Sequence, residues 1–214
     1  MYIPPAYKID RAASLEFASA HGFGVVCAFD GAKPVASPLP FDLSYAGDGT
    51  PQLSFHVARG NPLAACADGQ NQWLLTVNGP HAYISPHWYA SVDQVPTWLY
   101  QTVHLTGPAR TMSGEELVEN LERLSAKFEA YLAPKPAWTM AEVSAGRREM
   151  LLRMITGLVM TVDTVEGSFK LNQTKSEADA EKVSRALAAQ DHSDAHELAR
   201  LLREMRLSKT AALQ

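Results

Sequence analysis

The chain has 214 residues, of which 46% are hydrophobic and 20% charged, and a formal net charge of −4. That balance is ordinary for a folded globular protein and excludes a disordered or collagen-like one. No apolar run reaches the roughly 18 residues of a spanning helix, no basic-then-apolar leader opens the chain, and no dense Lys/Arg stripe is present to neutralise nucleic-acid phosphates.

In chain order, Asp10 caps a short helix through Ala20, which His21-Gly22 ends. Gly24 to Phe29 reads as a strand, Asp30-Gly31 as a hairpin turn and Lys33 to Phe41 as the returning strand. Pro34, Pro38 and Pro40 confine that second strand to an edge, because proline cannot donate to a ladder. Gln52 to Val57 alternates as a strand, Asn61-Pro62 opens a helical turn through Ala67, and Gln72 to Val77 is a further strand. Between Gly79 and Tyr100, prolines break the chain into loops that carry Tyr83, Trp88, Tyr89, Trp98 and Tyr100. Rigid aromatic loops suit a surface that receives a flat ligand or another subunit; ordinary packing on a barrel is the alternative. Gln101 to Arg110 returns to strand.

Ser113-Gly114-Glu115-Glu116 is a capping box, and Leu117, Leu121, Leu124 and Phe128 follow at helical spacing. A second helix is expected around Ser144 to Met154. Gly157 to Glu166 alternates as a strand, after which Gly167 turns the chain towards Lys170-Leu171-Asn172-Gln173. From Ser176, which with Asp179 resembles a capped start, the composition becomes helical, with a break at Asp191 to Asp194 and a frayed end from Ser208. The reading is α+β: about six antiparallel strands in a barrel, peripheral helices and a helical C-terminus. The expected divisions are a domain over 1–175, a helical extension over 176–207 and a disordered tail over 208–214. Cys27 and Cys66 read as reduced, buried thiols, and the location expected is cytoplasmic.

Few residues stand out for chemistry. Arg59 and Asn61 follow a strand at a turn, where a guanidinium and exposed amides make a phosphate receptor; a solvated turn arginine is the alternative. Ser85, His87 and Asp93 lack the strand–turn–helix setting of a hydrolytic nucleophile. His192 and His196 are spaced for a shared metal but lack the glutamate of a His-Glu-x-x-His helix, so a solvated face is expected and no metal. His56, His81 and His104 flank apolar strands and suit structural roles.

Several strings carry a resemblance: Phe55-His56-Val57-Ala58-Arg59-Gly60-Asn61-Pro62, then Gly79-Pro80-His81-Ala82-Tyr83-Ile84-Ser85-Pro86-His87-Trp88-Tyr89, Val95-Pro96-Thr97-Trp98-Leu99-Tyr100 and Lys170-Leu171-Asn172-Gln173. From Met1-Tyr2-Ile3-Pro4 to about Val183 the chain resembles the PaiB-type family, FMN-binding negative transcriptional regulators with a split β-barrel related to pyridoxamine phosphate oxidases. The resemblance implies a six-stranded antiparallel split barrel, FMN as cofactor, and a homodimer with the flavin between subunits. It places the FMN phosphate at Arg59 and Asn61 and the ring edge along the backbone of Ala36, Ser37, Pro38 and Leu39. His56, Tyr83, Ser85, Trp98, Tyr100, Lys170 and Gln173 fall in the same motifs as further cofactor contacts.

Departures from the family pattern are Pro38 for a histidine, Gly60 for an alanine, Leu99 for an asparagine, and Asn172-Gln173-Thr174 for Ser-Gln-Asn. The implied output is negative regulation of transcription; a flavin-dependent oxidoreductase acting on a small substrate is the alternative. No residue presents itself as a general acid or base, and no helix-turn-helix is recognisable. Arg147, Arg148, Arg153, Arg185, Arg200, Arg203 and Arg206 are the cations that could meet DNA, against simple solvation of their helices.

Overall fold

Capping explains where the helices begin. Asp10 accepts the Ala13 N–H at 2.8 Å, Ser113 the Glu116 N–H at 3.1 Å and Ser176 the Asp179 N–H at 3.2 Å, each filling a donor that the first turn leaves open. Glu116 closes its capping box by accepting from the Ser113 N–H at 2.8 Å. The computed structural model describes residues 1–211; the expected tail at 208–214 lies partly outside them. The elements are β1 (Lys8–Ile9), α1 (Arg11–His21), β2 (Phe23–Phe29), β3 (Pro34–Pro40), β4 (Asp42–Tyr45), β5 (Pro51–Ala58) and α2 (Pro62–Cys66). After them come β6 (Asp68–Ile84), β7 (Thr97–Thr111), α3 (Gly114–Ala130), α4 (Ala145–Leu152), β8 (Ile155–Thr161), β9 (Thr164–Lys170), α5 (Glu177–Ala188) and α6 (Ser193–Ala211).

The chain forms two compact units. The larger comprises Leu15–Val77 and His104–Val165; the smaller takes Met1–Ser14, Asn78–Val103 and the chain from Glu166 onward. The expected boundary at 175/176 falls inside the smaller unit.

In the larger unit the strand order is β3-β2-β6-β7-β8-β5-β4. Asp30 accepts the Ala32 and Lys33 N–H groups at 2.9 and 2.8 Å, while Gly31 takes φ +93°, so the β2–β3 hairpin forms where expected. β3 lies at the end of the order, as its prolines require. Only Phe41, fully buried, separates β3 from β4 at the other end. The sheet must therefore roll round to bring its ends near one another. No pairing among the described residues joins β3 to β4, which leaves a split, open barrel. Leu53, Phe55 and Val57 of β5 face inward with Val26, Leu75, Leu105, Leu158 and Met160, all at most 2% exposed. α3 packs on β4, β5 and β8 through Leu117 and Leu124.

The smaller unit is cored by Ile84, Tyr89, Leu99 and Leu171 against Val183, Leu187, Leu198 and Leu202 of α5 and α6. Burial of that apolar surface, at about 25 cal/mol per Å², is what holds the two terminal helices.

Nine strands occur among the described residues, more than the six expected. The stretch expected as one strand from Gly157 is two, β8 and β9. Gly167 does not turn the chain. It sits inside β9, opposite Ile9 of β1, where an added Cβ would stand 2.3 Å from Ser14 Oγ and 2.4 Å from Ile9 Cγ1. β6 also runs on through Pro80 to Ile84, where loops were expected. The last pairing of β2 with β6 is Val25↔Thr76, so by Pro80 no ladder on that side requires its missing N–H. β7 begins at Thr97, placing Trp98 and Tyr100 on a strand whose alternation starts with buried Leu99.

Candidate functional site

In the larger unit, the alternation of β5 turns His56 and Ala58 away from the barrel interior. The next residue, Arg59, donates its backbone N–H to Met154 O at 2.8 Å and its Nε to Arg153 O at 2.7 Å. Those bonds orient the guanidinium and leave its two terminal nitrogens to meet an anion. Asn61 accepts the Leu63 N–H at 3.0 Å, capping α2, and donates Nδ2 to Ser37 Oγ at 2.9 Å. Its amide is thus occupied at both ends, and α2 has only five residues. Asn61 braces the corner, while Arg59 and the Ser37 hydroxyl hydrogen supply the free donors.

Ala36, Ser37, Pro38 and Leu39 pair with β2 through Ala36↔Cys27, Ser37↔Val26, Pro38↔Val25 and Leu39↔Gly24. The other side of β3 has no strand partner among the described residues. His56 Nδ1 is buried without a hydrogen-bond partner, and burial lowers the imidazole pKa below its ordinary value, keeping the ring neutral. The ring lines a cavity of about 200 Å³ with Pro40, Leu124, Phe128 and Trp138. Arg59 lines another of about 370 Å³ with Met112, Ser113, Leu117, Arg153 and Thr156. A third, of about 390 Å³, is walled by Ala58, Leu121, Trp138, Met140, Leu151 and Met154. His56 and Arg59 thus line different cavities; the anchored guanidinium and the open edge of β3 are the groups whose chemistry suits the phosphate and the polar ring edge of a flavin mononucleotide.

The remaining expected residues lie in the smaller unit. Ser85 Oγ accepts the His87 N–H at 3.3 Å and caps a short 3-10 turn. Lys170 donates Nζ to Thr97 Oγ1 at 2.5 Å and stands 5.8 Å over the Tyr7 ring. Gln173 accepts the Leu171 N–H at 2.8 Å and donates to Phe169 O, so it closes its own turn. Tyr100 is half-buried on β7. Tyr83 and Trp98 meet at 71° with centroids 6.1 Å apart. Leu99, expected to replace a polar contact of an aromatic loop, is instead fully buried in the core. Asn172 takes φ +59°, a conformation asparagine tolerates, and its Oδ1 accepts from Tyr89 Oη at 3.5 Å.

Asp179 was visible in the sequence only as part of a helix cap. It also accepts the backbone N–H groups of Ala90 and Ser91 at 2.8 and 2.9 Å, which ties α5 to the segment after the 3-10 turn. Arg153, Arg185, Arg200 and Arg206 each pair with glutamates on or beside their helices. No helix among the described residues is long and apolar enough to cross a membrane.

The family described as "Putative FMN-binding domain" matches residues 1–164. "Protease synthase and sporulation protein PAI 2" of Bacillus subtilis (strain 168) is 32% identical over 205 residues, covering 95% of this chain and 97% of that protein. Among solved structures, the FAD and heme binding protein of Mycobacterium smegmatis has a TM-score of 0.53 at 16% identity, covering 75% of this chain and 71% of that one. The flavocytochrome Anf3 of Azotobacter vinelandii has a TM-score of 0.51 at 13% identity, covering 88% and 73%. These structural likenesses speak to the fold, and the match through residue 164 to the family: the chain belongs to the FMN-binding domain family of PaiB-type proteins, with FMN as its cofactor.

Proposed function

We propose that the chain holds FMN at the corner of β3, β5 and α2 and serves, as a homodimer, as a negative regulator of transcription. The observation that carries the site is the hydrogen bond from Asn61 Nδ2 to Ser37 Oγ, 2.9 Å long, which fixes the end of β5 against the edge strand. Arg59, beside it, would hold the phosphate through its terminal nitrogens, a geometry suited to paired N–H···O bonds. The backbone of Ala36 to Leu39 would line the polar edge of the ring, and neutral His56 would offer Nδ1 to a polar group. Bound FMN supplies redox chemistry; the protein supplies orientation, exclusion of water and local polarity.

The regulatory reading is supported by the PaiB resemblance and by the B. subtilis relative, whose name speaks of protease synthesis and sporulation and not of a reaction. Exposed Tyr83, Trp98, Trp138, Leu151 and Met154 support self-association, because a monomer rarely leaves so much apolar surface to water. The local pairing of Arg185, Arg200 and Arg206 supports an output through the cofactor or another protein, since those charges are already met by carboxylates. The test is a titration of the purified chain with FMN, followed by flavin absorbance and fluorescence, beside sedimentation of the flavin-bound form. Saturable binding that Arg59→Ala weakens, together with a twofold mass, is the expected result. Binding indifferent to Arg59 overturns the site, and a monomer at micromolar concentration overturns the dimer.

A further inference from the structure

Arg59 and Arg153 line the same cavity of about 370 Å³ in the larger unit, with Thr111, Ser113 and Thr156 on its other walls. The chain ties the two arginines together there. Arg59 donates Nε to Arg153 O at 2.7 Å and its backbone N–H to the neighbouring Met154 O at 2.8 Å. Both bonds end on main-chain carbonyls, so neither engages the Arg153 side chain.

Among the described residues the cavity walls carry two guanidinium groups, those of Arg59 and Arg153, and one carboxylate, that of Glu149. The hollow therefore has a positive charge in excess, and an anion relieves the repulsion between its cations. In this structure Arg153 Nη2 donates to Glu149 Oε1 at 2.6 Å, one turn back on α4. Arg153 is 75% exposed and Glu149 67%. An i,i+4 pair so open to water is weakly held, because solvent and salt screen it. Arg153 can leave it readily for a stronger acceptor. A phosphate monoester is such an acceptor: it carries up to about two negative charges near neutral pH and suits paired N–H donors.

Resting on the assignment of the flavin phosphate to Arg59, we propose that Arg153 is its second cationic contact, exchanging Glu149 for the phosphate when FMN enters. Riboflavin has the same ring and no phosphate, so it cannot drive the exchange. The arginine pair thereby makes the site selective for the phosphorylated flavin, and Glu149 sets how strongly.

The experiment titrates the full chain, wild type and variants, with FMN and with riboflavin in mildly alkaline buffer, following flavin fluorescence. Arg153→Ala is expected to weaken FMN by about five-fold or more and to change riboflavin by less than about two-fold. Arg153→Lys should recover part of the loss, since it keeps the charge without the fork. Glu149→Gln should tighten FMN by about two-fold or more, because it frees Arg153 and removes a like charge from the cavity. Phosphorus NMR of bound FMN reads the contact without riboflavin: the resonance should move in Arg153→Ala and stay in place in Ser85→Ala. Should Arg153→Ala not fold, Glu149→Gln carries the same test. A preference for FMN that Arg59→Ala lowers and Arg153→Ala leaves unchanged overturns this proposal while the Arg59 site stands. Indifference to both substitutions overturns the Arg59 site itself. Equal weakening of both flavins in Arg153→Ala, an unmoved phosphorus resonance, or weaker FMN binding in Glu149→Gln also overturns the exchange.

Discussion

Asp179 accepts both the backbone N–H and the hydroxyl of Ser91 at 2.9 Å, joining residues 88 positions apart in the chain. Donors on three sides stabilise the ionised carboxyl and hold its pKa down at about 2, with the Ser91 N–H the largest contributor. A carboxylate whose pKa is depressed on folding contributes stability above the unfolded value, and that contribution is lost as pH falls through the folded one. The smaller unit should therefore loosen as pH drops from the ordinary carboxylate range towards about 2. Asp179→Asn is expected to lower the Tm at neutral pH and to flatten its slope over that window, read by near-ultraviolet circular dichroism of the nearby tryptophans. An unchanged slope would mean that other carboxylates govern acid lability.

Gly167→Ala tests the contact between β9 and β1. Its Cβ would press on Ser14 Oγ at 2.3 Å and Ile9 Cγ1 at 2.4 Å, and Ser14 is itself fully buried. Overpacking of this kind costs about 1–3 kcal/mol, and the midpoint of denaturant unfolding should fall accordingly. A wild-type midpoint would show that β1 yields freely.

Gly60→Ala should have the opposite sign. An added Cβ meets nothing within 4 Å, and Gly60 is not among the glycines of positive φ. Restricting the unfolded chain should then stabilise the protein by about 0.4–1 kcal/mol, with FMN affinity unaltered. Calorimetric melting and a flavin titration check the two halves of that statement.

Arg59→Ala should weaken FMN binding by roughly ten- to a hundred-fold, the value of a charge-assisted phosphate contact of about 1.5–3 kcal/mol. Ser85→Ala should change it little, because Ser85 Oγ serves as the acceptor for the His87 N–H. Fluorescence quenching of added FMN gives both dissociation constants. Comparable losses in the two variants would put the phosphate elsewhere than at Arg59.

Local chemistry was legible in the sequence wherever one residue decides one bond. The caps at Asp10, Ser113 and Ser176, the Asp30-Gly31 hairpin and the edge position of a proline-bearing strand were each read from side-chain chemistry. Glycine and proline misled where tertiary context overrode local preference. Gly167 is small because another strand crosses it, and Pro80 continues a strand beyond the point, at Thr76, where the pairing of β6 with β2 ends. Of the candidate site, Arg59 and Asn61 were legible as a turn with a cation and an amide. The partner of Asn61, Ser37, lies 24 residues away and no periodicity predicts it.

The prolines of β3 also bear on how the protein behaves when concentrated. Pro34, Pro38 and Pro40 face Phe29, Val25 and Phe23 across the hairpin, so all three share one orientation on the alternating ladder. Because β3 pairs with β2 along its full length, the positions without N–H point outward, and Ala36 alone of that set can donate. A strand arriving from another molecule would find acceptors but almost no donors to register against. Sheet-extending aggregation and amyloid-like stacking are thereby discouraged at this edge without any charged gatekeeper. Two copies that meet at this edge must associate through their side chains, which keeps contact there selective.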